Sequence, residues 1–142
     1  MNFEITGIVD NAPYLPHGID VAFSTVMTAR VREKILADKF PEKIFRPERE
    51  QHKAKMQSLY KEVADGCIAL QDKIGNYAND RMAIYKEKEN EIRSILEECP
   101  AADDIYDMLS LVGLDMNEFY SLYGKEKIKN AIYFAKDLIL LD

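Results

Sequence analysis

Apolar residues recur at helical spacing along most of this 142-residue chain. The first such run spans residues 18–39, and Phe40-Pro41 directly after it is expected to stop the helix. Its apolar face consists of Ile19, Ala22, Phe23, Val26, Met27, Val31 and Ile35. This spacing predicts one long amphipathic helix near the start of the chain.

A second helix is predicted to begin at Pro47 and to end at Gly75. Proline suits the first turn of a helix, and glycine is the commonest residue just beyond a helix end. The apolar face of this helix consists of Met56, Leu59, Tyr60, Val63, Cys67, Leu70 and Ile74.

The same patterning predicts further helices in the rest of the chain, over residues 80–98, 102–112, 116–123 and 125–140. Asp103 and Asp104 are expected to cap the first of the two short helices. Only residues 3–9 are ambiguous, because they are rich in β-branched side chains. Since no segment alternates with the period of a strand, we expect one all-α domain over residues 1–142, folded as a helical bundle or as an irregular all-α domain.

Composition narrows the classes of function. With 19 basic and 25 acidic residues the net charge is −6, which argues against a nucleic-acid partner. No apolar run approaches the roughly 18 residues of a membrane span, and the first residues do not resemble a signal peptide. Cys67 and Cys99 are far apart and form no recognisable motif, which favours free thiols in the cytoplasm. We therefore expect a cytoplasmic protein that binds neither nucleic acid nor membrane.

Candidate chemistry is sparse. His17 lies at the boundary between a loop and a helix, where it could serve as a metal ligand, a cap or a surface residue. A catalytic metal usually needs three protein ligands, so His17 alone cannot hold one. His52 lies in a hydrophilic run without a second ligand at helical spacing and is not expected to bind metal. Glycine-rich phosphate loops and an HExxH motif are absent, and we assign no catalytic residue.

Three segments resemble those of a known enzyme superfamily. The segment at residues 17–22, His-Gly-Ile-Asp-Val-Ala, resembles the H-G-x-x-V-[AG] segment of metal-dependent polyol dehydrogenases. Residues 107–114 are similar to that family's L-L-x-x-x-G-[LV] helix end, and residues 125–137 to its late helix ending in A-K. The superfamily includes glycerol dehydrogenases, glycerol-1-phosphate dehydrogenases and 3-dehydroquinate synthases. The glycerol-1-phosphate dehydrogenases are the most similar branch.

The resemblance implies that His17 is a metal ligand, with zinc as the expected metal, in a C-terminal helical domain. It also implies an NAD(P)-dependent oxidoreductase that acts on a small polyol phosphate. The family's other two ligands, an Asp and a His, and its NAD(P)-binding domain are expected before residue 3. We therefore expect a domain truncated at both ends and inactive alone. An uncovered apolar patch is expected to promote self-association or to bind the missing N-terminal half.

The alternative is a small non-catalytic all-α module that binds other proteins. The amphipathic faces fit this function equally well, because such faces report packing and not chemistry. The sequence leaves both hypotheses open.

Overall fold

Every regular element in the described part of the chain is helical. The computed structural model describes residues 3–41, 47–78 and 81–138. The helices are α1 (Phe3–Asp10), α2 (His17–Ala37), α3 (Arg49–Lys73), α4 (Met82–Glu87), α5 (Glu89–Glu97), α6 (Ala102–Ser110) and α7 (Met116–Tyr133), followed by a 3-10 turn at Ala135–Asp137. Over these residues no strand is present, which confirms the all-α class. None of these helices combines the length and apolar character needed to cross a bilayer.

Most predicted boundaries agree with the structure, and the differences are local. The ambiguous first segment is helix α1. The helix predicted over residues 80–98 is divided at Lys88 into α4 and α5. Gly124 has a positive φ of 69° and breaks α7, as the predicted boundary between residues 123 and 125 requires. The helix predicted to reach residue 140 ends at Tyr133, and residues 139–142 lie outside the described part of the chain.

Helix α3 has a break that its sequence does not announce. Lys61 has φ 47° and ψ −124°, a conformation that a residue with a side chain rarely adopts. Its Nζ donates a hydrogen bond to the carbonyl oxygen of Val9 at 2.7 Å and lies 3.0 Å from the Asp10 carboxylate. The break in α3 is therefore tied to the C-terminal end of α1, which packs against α3.

The helices divide into two compact units. Unit 1 contains residues 3–20, 47–78 and 117–138. Its core joins one face of α3 to the residues that directly follow α7. The buried members are Met56, Tyr60, Ala64, Cys67, Ile68, Phe134 and Leu138. Burial of this apolar surface is the main term stabilising unit 1.

Unit 2 contains residues 21–41 and 81–116. Arg93 of α5 donates hydrogen bonds to the carbonyl oxygens of Ile35, Leu36 and Asp38, at 3.2, 3.0 and 2.7 Å. These carbonyls lie at the C-terminal end of α2, where the helix itself offers them no donor. Arg93 therefore caps α2 and fixes α5 against it.

The start of α6 is capped from a distant helix. The backbone N–H of Ala102 donates to the carboxylate of Glu33 on α2 at 2.7 Å. The expectation that Asp103 and Asp104 cap this helix is wrong, because both lie inside its first turn and the N-cap residue is Ala101. Their charges still suit the positive end of the helix dipole.

Candidate functional site

His17 is the first residue of α2 and belongs to unit 1. Its side chain is 77% exposed, and its Nδ1 lies 3.2 Å from Oε2 of Glu4 on α1. With Nδ1 donating to this carboxylate, Nε2 carries the lone pair that could bind a metal. The structure thus gives the predicted ligand an exposed position and a defined ring partner.

The hydroxyl of one tyrosine forms hydrogen bonds with residues on both sides of His17 in sequence. The hydroxyl of Tyr123, on α7, accepts a hydrogen bond from the backbone N–H of Leu15 at 3.0 Å. The same hydroxyl donates to Oδ1 of Asp20 at 2.8 Å. The ring of Phe3 stacks on Tyr123 with centroids 4.4 Å apart. The position of His17 is therefore set by residues from α1, α2 and α7.

Asp20 and Tyr123 form a buried polar pair. Burial raises the pKa of the Asp20 carboxyl above its usual value, although the hydrogen bond from Tyr123 opposes this shift. Burial also raises the pKa of the Tyr123 phenol, and the nearby Asp20 carboxylate raises it further. Oδ2 of Asp20 is buried and has no hydrogen-bond partner among the described residues. In this pair the phenol therefore stays protonated, and the Asp20 carboxyl ionises at a higher pH than an exposed aspartate.

The loop that leads to His17 lies directly on α1. A Cβ added to Gly7 would come within 2.6 Å of the Tyr14 ring, so Tyr14 can occupy this position only against a glycine. Gly18 is different, because a Cβ added there would meet no atom within 4 Å. Apart from its chain neighbours and the backbone of its own helix, the described residues leave the space beside Gly18 open.

No complete metal site is assembled in residues 3–41, 47–78 and 81–138. Within these ranges no three His, Cys, Asp or Glu side chains form a group that could hold a metal ion. The structure pairs His17 with Glu4. The role of His17 as a ligand stays a prediction.

His52 occupies a position that local sequence does not suggest. It lies in a hydrophilic run, yet it is buried, and its Nε2 is 3.2 Å from Oδ1 of the fully buried Asp137. The two residues are 85 positions apart. The only signal for burial is that His52 precedes Met56 and Tyr60 at intervals of four residues, which places all three on one helix face.

The surroundings of Asp137 disfavour nucleophilic chemistry. Burial, assisted by the Asp137 charge, raises the pKa of Tyr60 to about 12. The same two causes raise the pKa of the Cys67 thiol and of the Tyr77 phenol. A buried thiol with a raised pKa is a poor nucleophile. Because His52 and Asp137 are both buried and contact each other, we interpret this pair as structural.

Comparison of the chain with protein-family models, with curated proteins and with solved structures found no match in any of the three. The resemblance to metal-dependent polyol dehydrogenases therefore depends on the segments of this sequence alone.

The raised pKa of Asp20 predicts a defined pH dependence of stability. Because the folded state holds the Asp20 proton more tightly than the unfolded state, the contribution of Asp20 to the free energy of unfolding falls as pH rises above about 3.8. Asp20→Asn cannot ionise, yet its Oδ1 still accepts from Tyr123. We expect its stability relative to wild type to increase between pH 3 and pH 7, measured by urea unfolding.

Asp10 provides a control of opposite sign. The hydrogen bond from Lys61 lowers the pKa of Asp10, so this carboxylate stabilises the fold at neutral pH and loses that effect as pH falls below about 3.8. Asp10→Asn should therefore be less stable than wild type at pH 7 and close to it at pH 3. Parallel pH profiles for the two variants would contradict the assignment.

The two histidine–carboxylate pairs predict different losses of stability. Both have a nitrogen–oxygen distance of 3.2 Å, but His52–Asp137 is buried and His17–Glu4 is exposed. We expect Asp137→Ala to lower the free energy of unfolding by about 3 kcal/mol. Glu4→Ala should cost less than about 1 kcal/mol. A double-mutant cycle with His52→Ala measures the coupling, and equal losses for the two pairs would refute a stabilising role for burial.

Proposed function

We propose that this chain supplies His17 as one metal ligand of an NAD(P)- and metal-dependent oxidoreductase similar to the glycerol-1-phosphate dehydrogenases. The observation that carries the proposal is the contact between Nδ1 of His17 and the Glu4 carboxylate. The second ring N–H of a metal-bound histidine almost always donates a hydrogen bond to such a group, which fixes the tautomer and raises the basicity of the metal-binding nitrogen. Exposure of His17 and the open space beside Gly18 leave room for a metal and a substrate.

Each residue of the site has a distinct task in this proposal. A bound zinc would polarise a substrate oxygen while NAD(P) exchanges a hydride with the substrate, proposed to be a small polyol phosphate. His17 holds the metal through Nε2, and Glu4 orients the ring. Tyr123 and Asp20 fix the backbone that presents His17. Because one histidine is too few, the remaining ligands and the NAD(P) site come from outside these residues, and the chain alone is inactive.

A zinc complex with open coordination positions can test His17 without its missing partners. Iminodiacetate supplies three donor atoms to zinc and leaves a coordination position open for an imidazole. We expect calorimetry at pH 7 to show one binding site per chain, abolished by His17→Ala. Glu4→Gln should weaken binding about tenfold, because the ring loses its orienting carboxylate.

His52→Ala is the matched control, because its imidazole is buried and should not contribute to zinc binding. Binding that survives His17→Ala, or that is indifferent to Glu4→Gln, would refute the proposed ligand. The chain alone should not oxidise NADH in the presence of dihydroxyacetone phosphate. Measurable turnover would refute the requirement for a partner.

A second candidate function, a non-catalytic interaction module, is favoured by an apolar patch at the end of α6. This patch consists of Met108, Leu111 and Val112, which are 61%, 88% and 80% exposed. Exposed apolar patches of this kind mark sites of protein association. A second copy of the chain is the occupant that sedimentation can test directly.

We expect the sedimentation coefficient to rise with concentration and Leu111→Lys to restore the monomer. Ile8→Lys, on α1, alters an exposed isoleucine outside this patch and should leave association unchanged. A single monomeric species over a hundredfold range of concentration would contradict the prediction.

A further inference from the structure

Unit 2 contains an apolar groove of about 630 Å³, separate from the residues around His17. It lies between the C-terminal end of α2, helix α4 and helix α5. Its apolar walls include Ile35, Phe40, Met82, Tyr85, Ile92 and Leu96. This volume is within the range of small-molecule binding sites, roughly 300–1,000 Å³.

Arg93 holds the walls of the groove in place. Its three hydrogen bonds join α5 to the end of α2, and its guanidinium lies 4.9 Å above the ring of Phe40. Its Nε also donates to Glu89 at 2.9 Å. Because the donors of Arg93 already have partners within the fold, they reinforce the wall instead of forming a free cationic site. The walls of the groove are therefore held together by hydrogen bonds within unit 2.

Charge at the groove is unbalanced in a way that selects a ligand. Three charged residues line it: Lys34, Asp38 and Lys39. Lys34 pairs with Asp38 at 3.1 Å. Within the described ranges Lys39 has no acidic partner. The lining therefore has a net charge of +1, although the whole chain has a net charge of −6.

We propose that this groove binds a single-chain amphiphile with an anionic headgroup, such as a fatty acid. The alkyl chain lies against the apolar walls, where burial of each methylene favours binding. The carboxylate lies beside Lys39, the cation that has no acidic partner there. This inference does not depend on the role proposed for His17.

Calorimetry of the whole chain with dodecanoate, below its critical micelle concentration, tests the proposal. We expect saturable binding at one site per chain. Octanoate should bind at least tenfold more weakly, because each buried methylene contributes about a fourfold factor. Dodecyl maltoside, which has the same alkyl chain and a neutral headgroup, should bind more weakly than dodecanoate.

Two pairs of matched variants localise the site. Ile92→Asp places a charge in the wall and should abolish binding, whereas Ile95→Asp changes an exposed residue of the same helix outside the groove lining and should not. Lys39→Glu should weaken dodecanoate at least fivefold and leave dodecyl maltoside unchanged. Lys73→Glu, an exposed lysine of α3, is the charge control. Lys39 is itself exposed, so this variant tests the site even if Ile92→Asp does not fold.

Three results would overturn the proposal. The first is the absence of saturable dodecanoate binding. The second is dodecanoate binding that both Ile92→Asp and Lys39→Glu leave intact in folded protein. The third is a dimer that dissociates in Ile92→Asp but not in Ile95→Asp, which would show that a second copy of the chain occupies the groove.

Discussion

The candidate metal-ligand site depends on the two hydrogen bonds of the Tyr123 hydroxyl. It bonds the chain just before His17, at the N–H of Leu15, and just after it, at the Asp20 carboxyl. The phenol itself is held by stacking against Phe3. A loop and the first turn of a helix are ordinarily among the least constrained parts of a fold. Here a buried hydrogen-bonded group constrains both, so the position of His17 depends on α7, a helix about 100 residues away in sequence.

The features that local pattern predicts are those that local chemistry decides. The end of α3 near Gly75 and the break at Gly124 were predicted from residues within a few positions. The predicted apolar face of α2 is confirmed only in part, because three of its seven members are exposed: Ile19, Val31 and Ile35. Gly75 and Gly124 have positive φ values of 71° and 69°, which glycine adopts without steric cost. Element type and most boundaries therefore followed from the sequence.

Three of the features that the sequence did not predict depend on long-range contacts. The Glu33 carboxylate caps α6 from 69 residues away, so Asp103 and Asp104 were the wrong caps. His52 is buried beside a carboxylate 85 residues away, although its neighbours in sequence are hydrophilic. The hydrogen bond between Tyr123 and Asp20 joins residues 103 positions apart, and neither local sequence predicts it. Capping and burial by distant side chains depend on how helices pack, and a single sequence does not reveal that packing.

Position 61 has two requirements that no single amino acid satisfies: a backbone with positive φ, and a long cationic side chain that reaches α1. Glycine would adopt this backbone with least strain, but it would abandon the Val9 carbonyl and the Asp10 carboxylate. Lysine provides the cation that contacts the C-terminal end of α1, although its backbone is in an unfavourable conformation. A substitution of Lys61 by glycine would remove backbone strain from α3 but would also remove the contacts of the Lys61 side chain with α1. The measured change in the free energy of unfolding would therefore be a small difference between two larger opposing contributions. The junction of α1 and α3 is thus a compromise between conformational preference and charge.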